Sequence, residues 1–330
     1  MQVVTAGEQD GPTLAELGEF AVIDRLVVDR VYPDSVLLGP GDDAAVLAAP
    51  DGRVVVSTDM LVQGRHFRFD WSTAHDVGRK AIAQNAADIE AMGARVTGFV
   101  VGLGAPPATP ARQATELSDG MWAEAGRAGA PIIGGDLVAS PTWVVSVTVF
   151  GDLAGRPPVT RGGARPGAVV AVAGDLGHSA AGYALWSADN AGFIELRRRH
   201  LAPQPPYGQG VAAAHAGATA MTDTSDGLVA DLRHIAAMSG VDINLSSSAL
   251  EPYWQPLSAA AEELGVDPRE WVLGGGEDHA LVACFPSDPP PGWRVIGAVS
   301  GAATPGQARV LLDGVVWSGA AGWESYGGDC

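Results

Sequence analysis

Arg53-Val-Val-Val-Ser-Thr-Asp59 is a β-branched run that ends on two hydroxyls and a carboxylate, and the Ala-rich stretch His75–Gly93 follows it. The first predicts a strand and the second a helix stopped by its glycine. Outward from this pair the alternation continues. Val96–Leu103 reads as a strand, residues 110–129 as a helix, Pro131-Ile-Ile-Gly-Gly-Asp136 as a strand running into a glycine turn, and Thr142–Phe150 as an apolar strand. Towards the N-terminus, Leu14, Leu17, Phe20, Ile23 and Val27 recur at helical spacing, and Gly39-Pro-Gly-Asp-Asp43 reads as a tight turn. Gly151–Pro158, rich in Gly, Pro and charge, reads as a linker. Beyond it the pattern restarts with strand Ala168–Ala173, turn Gly174–Gly177, helix His178–Trp186 and a proline loop at Pro203–Pro206. Thr222-Asp-Thr-Ser-Asp-Gly227 then opens a helix to about Ser239, and Trp271–Phe285 carries the turn Gly274-Gly-Gly-Glu-Asp278. This is an α/β chain of mixed (α+β) character, in two domains at 1–150 and 151–330.

Composition narrows the function. The chain has 330 residues and a formal charge of −18, which disfavours nucleic acid or an anionic membrane surface as a partner. With 47% hydrophobic residues it has material for a sizeable core. Lys80 is the single lysine, so the P-loop pattern GxxxxGK[ST] is absent. The N-terminal residues lack the basic end and apolar stretch of a signal peptide, and no run reaches the length of a membrane span. Two cysteines, Cys284 and Cys330, make no disulfide framework, and a cytoplasmic protein is the expectation. Cys284, in an apolar strand, is expected in the core.

One feature recurs: an acidic residue on a glycine- or hydroxyl-flanked turn beside an apolar strand. It occurs at Asp42-Asp43, Ser57-Thr58-Asp59, Gly135-Asp136, Asp223-Thr-Ser-Asp226 and Glu277-Asp278. Carboxylates and hydroxyls are the hard oxygen ligands that Mg²⁺ prefers, and carboxylates brought together without a cation repel one another. Any one of these turns has a plainer reading, since Asp beside Gly is ordinary turn chemistry and Asp-Thr-Ser-Asp before a helix is an N-cap. Five of them favour a metal site. Asp88 lies one helical turn after Asn85, on the same face; taken alone it reads as solvent-exposed. Gly174-Asp-Leu-Gly177 offers helix-start amides to an anion, and is equally a plain strand-to-helix turn. The seven histidines are scattered and read mostly as surface or structural.

Taken in order, these motifs resemble the thiamine-monophosphate kinases, of the aminoimidazole-ribonucleotide-synthetase-like ATP-binding superfamily. The match runs through Gly41-Asp-Asp-Ala-Ala-Val-Leu47, Ser57–Phe67, Asn85–Ala94, Ile133-Gly-Gly-Asp136, Thr160–Gly167, Gly177–Gly182, Thr222–Leu228 and Gly274–Asp278. The resemblance implies the two-domain fold of that superfamily, an N-terminal mixed-sheet domain for ATP, Mg²⁺ and dimerisation followed by a C-terminal α/β domain. It implies ATP-dependent phosphorylation of thiamine phosphate to thiamine diphosphate, several Mg²⁺ ions, and a homodimer. Carried residue by residue, it makes Asp43, Ser57, Thr58, Asp59, Asp88, Asp136, Asp223 and Asp226 metal ligands. It makes Gly135, Asp136, Arg161 and Ser225 ATP contacts, and His66, Glu277 and Trp323 substrate contacts, with no certain catalytic base.

Three places depart from the family pattern. Glu277-Asp278-His279-Ala280 stands where Glu-Asp-Tyr-Glu is usual, Pro206 is followed by Tyr207 rather than a basic residue, and the C-terminal aromatic motif is degenerate at Gly322-Trp-Glu-Ser-Tyr326. Two other readings stay open. One is another ATP-dependent synthetase or dehydratase of the superfamily, the hydrogenase-maturation type, which modifies a terminal cysteine such as Cys330; the usual Pro-Arg before that cysteine is absent. The other is a non-catalytic metal- or nucleotide-binding protein.

Overall fold

The computed structural model describes residues 11–39, 44–304, 306–319 and 322. Asp43, Trp323, Tyr326 and Cys330 lie outside them. The chain divides into two compact units: one of Met1–Ala49, Val56–Asn85 and Thr97–Phe150, the other of Pro50–Val55, Ala86–Val96 and Gly151–Cys330.

In the first unit the amphipathic opening segment is two helices, α1 (Leu14–Leu17) and α2 (Glu19–Val27), because Gly18 between them takes a φ of 78°. Strands β1 (Val36–Leu38) and β2 (Val46–Leu47) pair antiparallel. β3 (Val55–Val62), β4 (Arg95–Ala105), β5 (Ile132–Ala139) and β6 (Val144–Asp152) form a four-stranded sheet in the order β3-β6-β4-β5. Helix α3 (Ala74–Ala91), whose residues from Ala86 onward belong to the second unit, and helix α4 (Ala111–Ala128) give the first unit buried side chains that include Ile82 from α3 and Leu117 and Met121 from α4. The expected glycine turn at Gly134-Gly135 is instead the middle of β5, paired in parallel with β4. A Cβ on Gly135 would run into the carbonyl oxygen of Val101, so the glycines serve close strand approach and not chain reversal.

The second unit is built on a seven-stranded sheet of β7 (Val169–Ala173), β8 (Ala220–Asp223), β9 (Val241–Leu245), β10 (Leu281–Phe285), β11 (Arg294–Ala302), β12 (Val310–Leu312) and β13 (Val315–Val316). Its order is β13-β12-β9-β11-β7-β10-β8, antiparallel except for β12 against β9. Along β7 and β10 the side chains alternate between two cores. Val170, Val172, Val282 and Cys284 enter one; Ala171, Ala173, Leu281, Ala283 and Phe285 enter the other. Burial on both faces is why these strands read as unbroken apolar runs. Cys284 is buried as expected, and burial pushes its thiol up to about 12. α5 (His178–Ser187), α6 (Ile194–Leu201), α7 (Gln209–His215), α8 (Leu228–Ser239), α9 (Ser247–Trp254), α10 (Ser258–Leu264) and α11 (Pro268–Gly274) complete the unit. No helix of the described residues is long and apolar enough to cross a membrane.

Candidate active site

In the second unit, β8 delivers Asp223 and the chain turns through Thr224, Ser225 and Asp226 into α8. A second loop, residues 275–280 between α11 and β10, lies against this turn. Backbone bonds zip the two together: Glu277 N–H donates to Ser225 O (2.8 Å), His279 N–H to Thr224 O (3.1 Å) and Thr224 N–H to Ala280 O (2.8 Å). The approach is so close that a Cβ on Gly276 would clash with Ser225 O. Glu277 and His279 hold positive φ angles of 62° and 53°, a conformation costly for residues with side chains and seen where a site fixes the backbone.

The plainer reading of Asp-Thr-Ser-Asp as an N-cap does not hold. The cap of α8 is Gly227, with no side-chain cap bond. Asp231, one turn into the helix, reaches back and accepts from the amides of Asp226 (3.1 Å) and Gly227 (3.0 Å). Capping therefore uses neither Asp223 nor Asp226. Asp223, 3% exposed, accepts a bond from His279 Nδ1 at 3.0 Å. Asp226 is half-buried; burial first, then the Asp223 carboxylate, raises its pKa. Asp231 is pushed up to about 8 by burial, with Asp223 and Asp226 adding to it. Among the described residues, Asp226, Asp231 and His234 have ligand atoms within 4.8 Å of one another. Asp226 and Asp231, both raised by burial and by neighbouring carboxylates, offer hard oxygen donors that fit a divalent cation.

Other expected residues gather at the same edge. Arg161 donates through Nε to Thr222 Oγ1 at 3.2 Å, and its charge opposes the rise at Asp226. Asp88 is half-buried rather than exposed. Burial works against a charge on His279, but Asp223, Glu277 and Asp88 outweigh it and raise that ring's pKa. Glu277 lies 3.5 Å from His200 Nδ1. The anion at the start of α5 is the protein's own: Asp278 accepts from the amides of Gly177 (2.5 Å) and Ser179 (2.8 Å). Burial pushes Asp278 up to about 6 against those two bonds.

In the first unit, Ser57, Thr58 and Asp59 lie on β3. Thr58 Oγ1 donates to Val147 O (2.9 Å) and accepts from Thr148 (3.2 Å). The Asp59 amide donates to Oδ1 of the buried Asn85 at 3.0 Å, so Asn85 fixes the strand while Asp88 follows on the same helix face. Gly135 and Asp136 are exposed on β5, and Asp136 Oδ1 accepts from the Leu137 amide. The sheet does not bring these two groups together. β3 and β5 are its opposite edges, three strand spacings or roughly 14 Å apart. His66 sits in the loop after β3, its Nδ1 accepting from the Val62 amide at 3.0 Å.

Asp231, His234 and the Asp223–His279 pair were not among the expected site residues. Asp231 and His234 had a weak signal, since both follow the Asp-Thr-Ser-Asp turn at helical spacing.

A family described as AIR synthase related protein, N-terminal domain, matches residues 41–153. Thiamine-monophosphate kinase of Mycobacterium tuberculosis (strain H37Rv) is 67% identical over 318 residues, covering 96% of this chain and 94% of its own. The chain belongs to the thiamine-monophosphate kinase family. It is an enzyme of the kinase class, with the mixed α/β fold of that family. Thiamine-monophosphate kinase from Stenotrophomonas maltophilia K279a matches with a TM-score of 0.75 and 33% identity, covering 90% of this chain and 95% of that one. A solved structure described as AaThiL complexed with AMPPCP and TMP matches with a TM-score of 0.74 and 30% identity, over 96% of this chain and 99% of that one. The resemblance drawn from the motifs is thus borne out.

Proposed function

We propose that this chain transfers the γ-phosphoryl group of ATP directly to thiamine phosphate, giving thiamine diphosphate and ADP, with several Mg²⁺ ions assisting. The observation that carries the reading is the turn after β8, where Asp223 and Asp226 crowd together although helix capping needs neither. The identity to thiamine-monophosphate kinases and the AMPPCP and TMP complex of a relative support it.

Bound Mg²⁺ would supply charge neutralisation for two anions that otherwise repel, held by Asp43, Ser57, Thr58, Asp59, Asp88, Asp136, Asp223 and Asp226. The acceptor is a phosphate monoester with a second pKa of about 6, so it is largely ionised at neutral pH and needs no general base. What remains for the chain is placement. Arg161, braced by Thr222, offers a guanidinium to phosphate oxygens, with Gly135, Asp136 and Ser225 as further ATP contacts. Glu277 offers a carboxylate to the thiazolium cation, Trp323 an aromatic face, and His66 a ring N–H. Dimerisation and much of the ATP and Mg²⁺ binding are assigned to the domain at residues 1–150, and the C-terminal domain at 151–330 contributes Arg161, Asp223, Ser225 and Asp226. Exposed apolar side chains at Val56 and Met60 of β3 and Val138 of β5 favour a homodimer formed through this sheet. The reaction belongs in the cytoplasm, where ATP is made available.

Stereochemistry tests the route. ATP chiral at the γ-phosphorus should give thiamine diphosphate with inverted configuration, the mark of a single in-line displacement. Retention would mean two displacements, a phosphoenzyme, and would overturn direct transfer.

A further inference from the structure

Lys80, the single lysine, is 2% exposed on α3, and its Nζ donates to the main-chain carbonyl of His66 at 3.0 Å. That carbonyl ends a loop tied at several points. Val62 N–H donates to His66 Nδ1 (3.0 Å), and the Val62 carbonyl accepts from the His66 amide (3.0 Å) and the Arg65 amide (3.1 Å). Gly64 N–H donates to Phe67 O (2.8 Å), and Gln63 N–H to Trp143 O (3.0 Å). Phe67, 5% exposed, packs edge-on against Phe69 with ring centroids 5.3 Å apart. Because Nδ1 accepts a bond, the neutral ring carries its proton on Nε2 and presents an N–H donor. The ring's aim then depends on the peptide planes at both ends of the loop. Val62 fixes one; the ammonium of Lys80 fixes the other.

We propose that Lys80 is a positioning residue for thiamine phosphate recognition: it holds the His66 carbonyl so that the Nε2–H of His66 stays aimed as a donor to the substrate. This rests on the assignment of His66 to the substrate site. A buried ammonium is expensive to keep in a loop support, since an apolar side chain would fill the space without desolvating a charge. A donor whose strength survives burial is what the His66 peptide plane requires.

The test uses Lys80→Met, which keeps the length and removes the donor, Lys80→Arg, which restores one, and His66→Ala. For Lys80→Met the KM for thiamine phosphate should rise about tenfold while the KM for ATP changes less than twofold. Lys80→Arg should recover most of that loss. Adding Lys80→Met to His66→Ala should raise the KM little further, because both act through one ring. A substrate KM unchanged in Lys80→Met, with His66→Ala impaired, overturns the positioning role and leaves the His66 assignment standing. An unchanged KM in His66→Ala removes the assignment and this inference together.

A second measurement needs no variant to fold. Labelling with [ζ-¹⁵N]lysine places a single labelled amine in the chain, at Lys80. Its ¹H–¹⁵N signal should move when thiamine phosphate saturates the protein and stay in place with a non-hydrolysable ATP analogue alone. A signal indifferent to saturating thiamine phosphate overturns the inference.

Discussion

Asp223→Asn lowers kcat/KM for thiamine phosphate by about a thousandfold or more and leaves the fold intact. Asp223 is the most deeply enclosed of the described carboxylates assigned to the metal, and β8 fixes its backbone against Leu281 of β10. A neutral amide oxygen is a much weaker ligand for a hard cation than a carboxylate. The substitution keeps an acceptor for His279, whose ring would otherwise lose its partner at 3.0 Å in a buried place. It also removes a like charge from beside Asp226 and Asp231. These structural effects oppose one another, so the melting temperature should stay within about 3 °C of the parent, equivalent to roughly 1 kcal/mol. Steady-state kinetics at saturating Mg²⁺ together with thermal melts provide the check. Near-parental turnover would remove Asp223 from the metal site.

The second large effect is on stability, in protein stripped of divalent cations. Asp231 is raised to about 8 in the fold from an ordinary value near 3.9 in the unfolded chain. Between those two values the folded form keeps a proton that the unfolded form releases, so stability falls as pH rises from about 4 through about 8. The raised groups Asp226, Asp278 and His279 act with the same sign. The lowered carboxylates, such as Asp175 and Asp242, lose their contribution as pH falls below about 4, outside this window. The melting temperature of chelator-treated protein should therefore drop between pH 5.5 and pH 8.5, and Mg²⁺ should restore it at the alkaline end. Asp231→Asn retains an oxygen for the Asp226 and Gly227 amides and removes the charge. It should flatten the profile and gain about 2 kcal/mol at pH 8 without metal, less than the whole displacement of Asp231 implies, because its neighbours readjust their own protons. A flat or rising profile in the parent protein would contradict the proposed carboxylate crowding.

Much of this was legible in the sequence because it is local. Short β-branched runs gave strands, Gly93 marked a helix end, and each acidic turn carried its own signal in neighbouring glycines and hydroxyls. What escaped depends on residues far apart in the chain. Gly134-Gly135 looks like a turn in isolation and becomes mid-strand only because β4 presents the Val101 carbonyl to it. Gly174-Asp-Leu-Gly177 looks like an anion-binding helix start until Asp278, 101 residues beyond Gly177, accepts from the Gly177 amide. Asp231 reads as an ordinary helix acid until the chain turn before it leaves two amides for it to accept. The strand order that parts Ser57–Asp59 from Asp136 is equally non-local. Proximity in motif order gave no warning that one sheet would hold them at opposite edges.

Transfer of label from ATP to thiamine phosphate is the decisive measurement. Purified protein is incubated with [γ-³²P]ATP, Mg²⁺ and thiamine phosphate, and the products are separated. The predicted result is label in thiamine diphosphate, one per ADP formed, abolished by omitting thiamine phosphate or by chelating the metal. Label released as inorganic phosphate, or left in ATP when all components are present, would rule out thiamine phosphate as the phosphoryl acceptor.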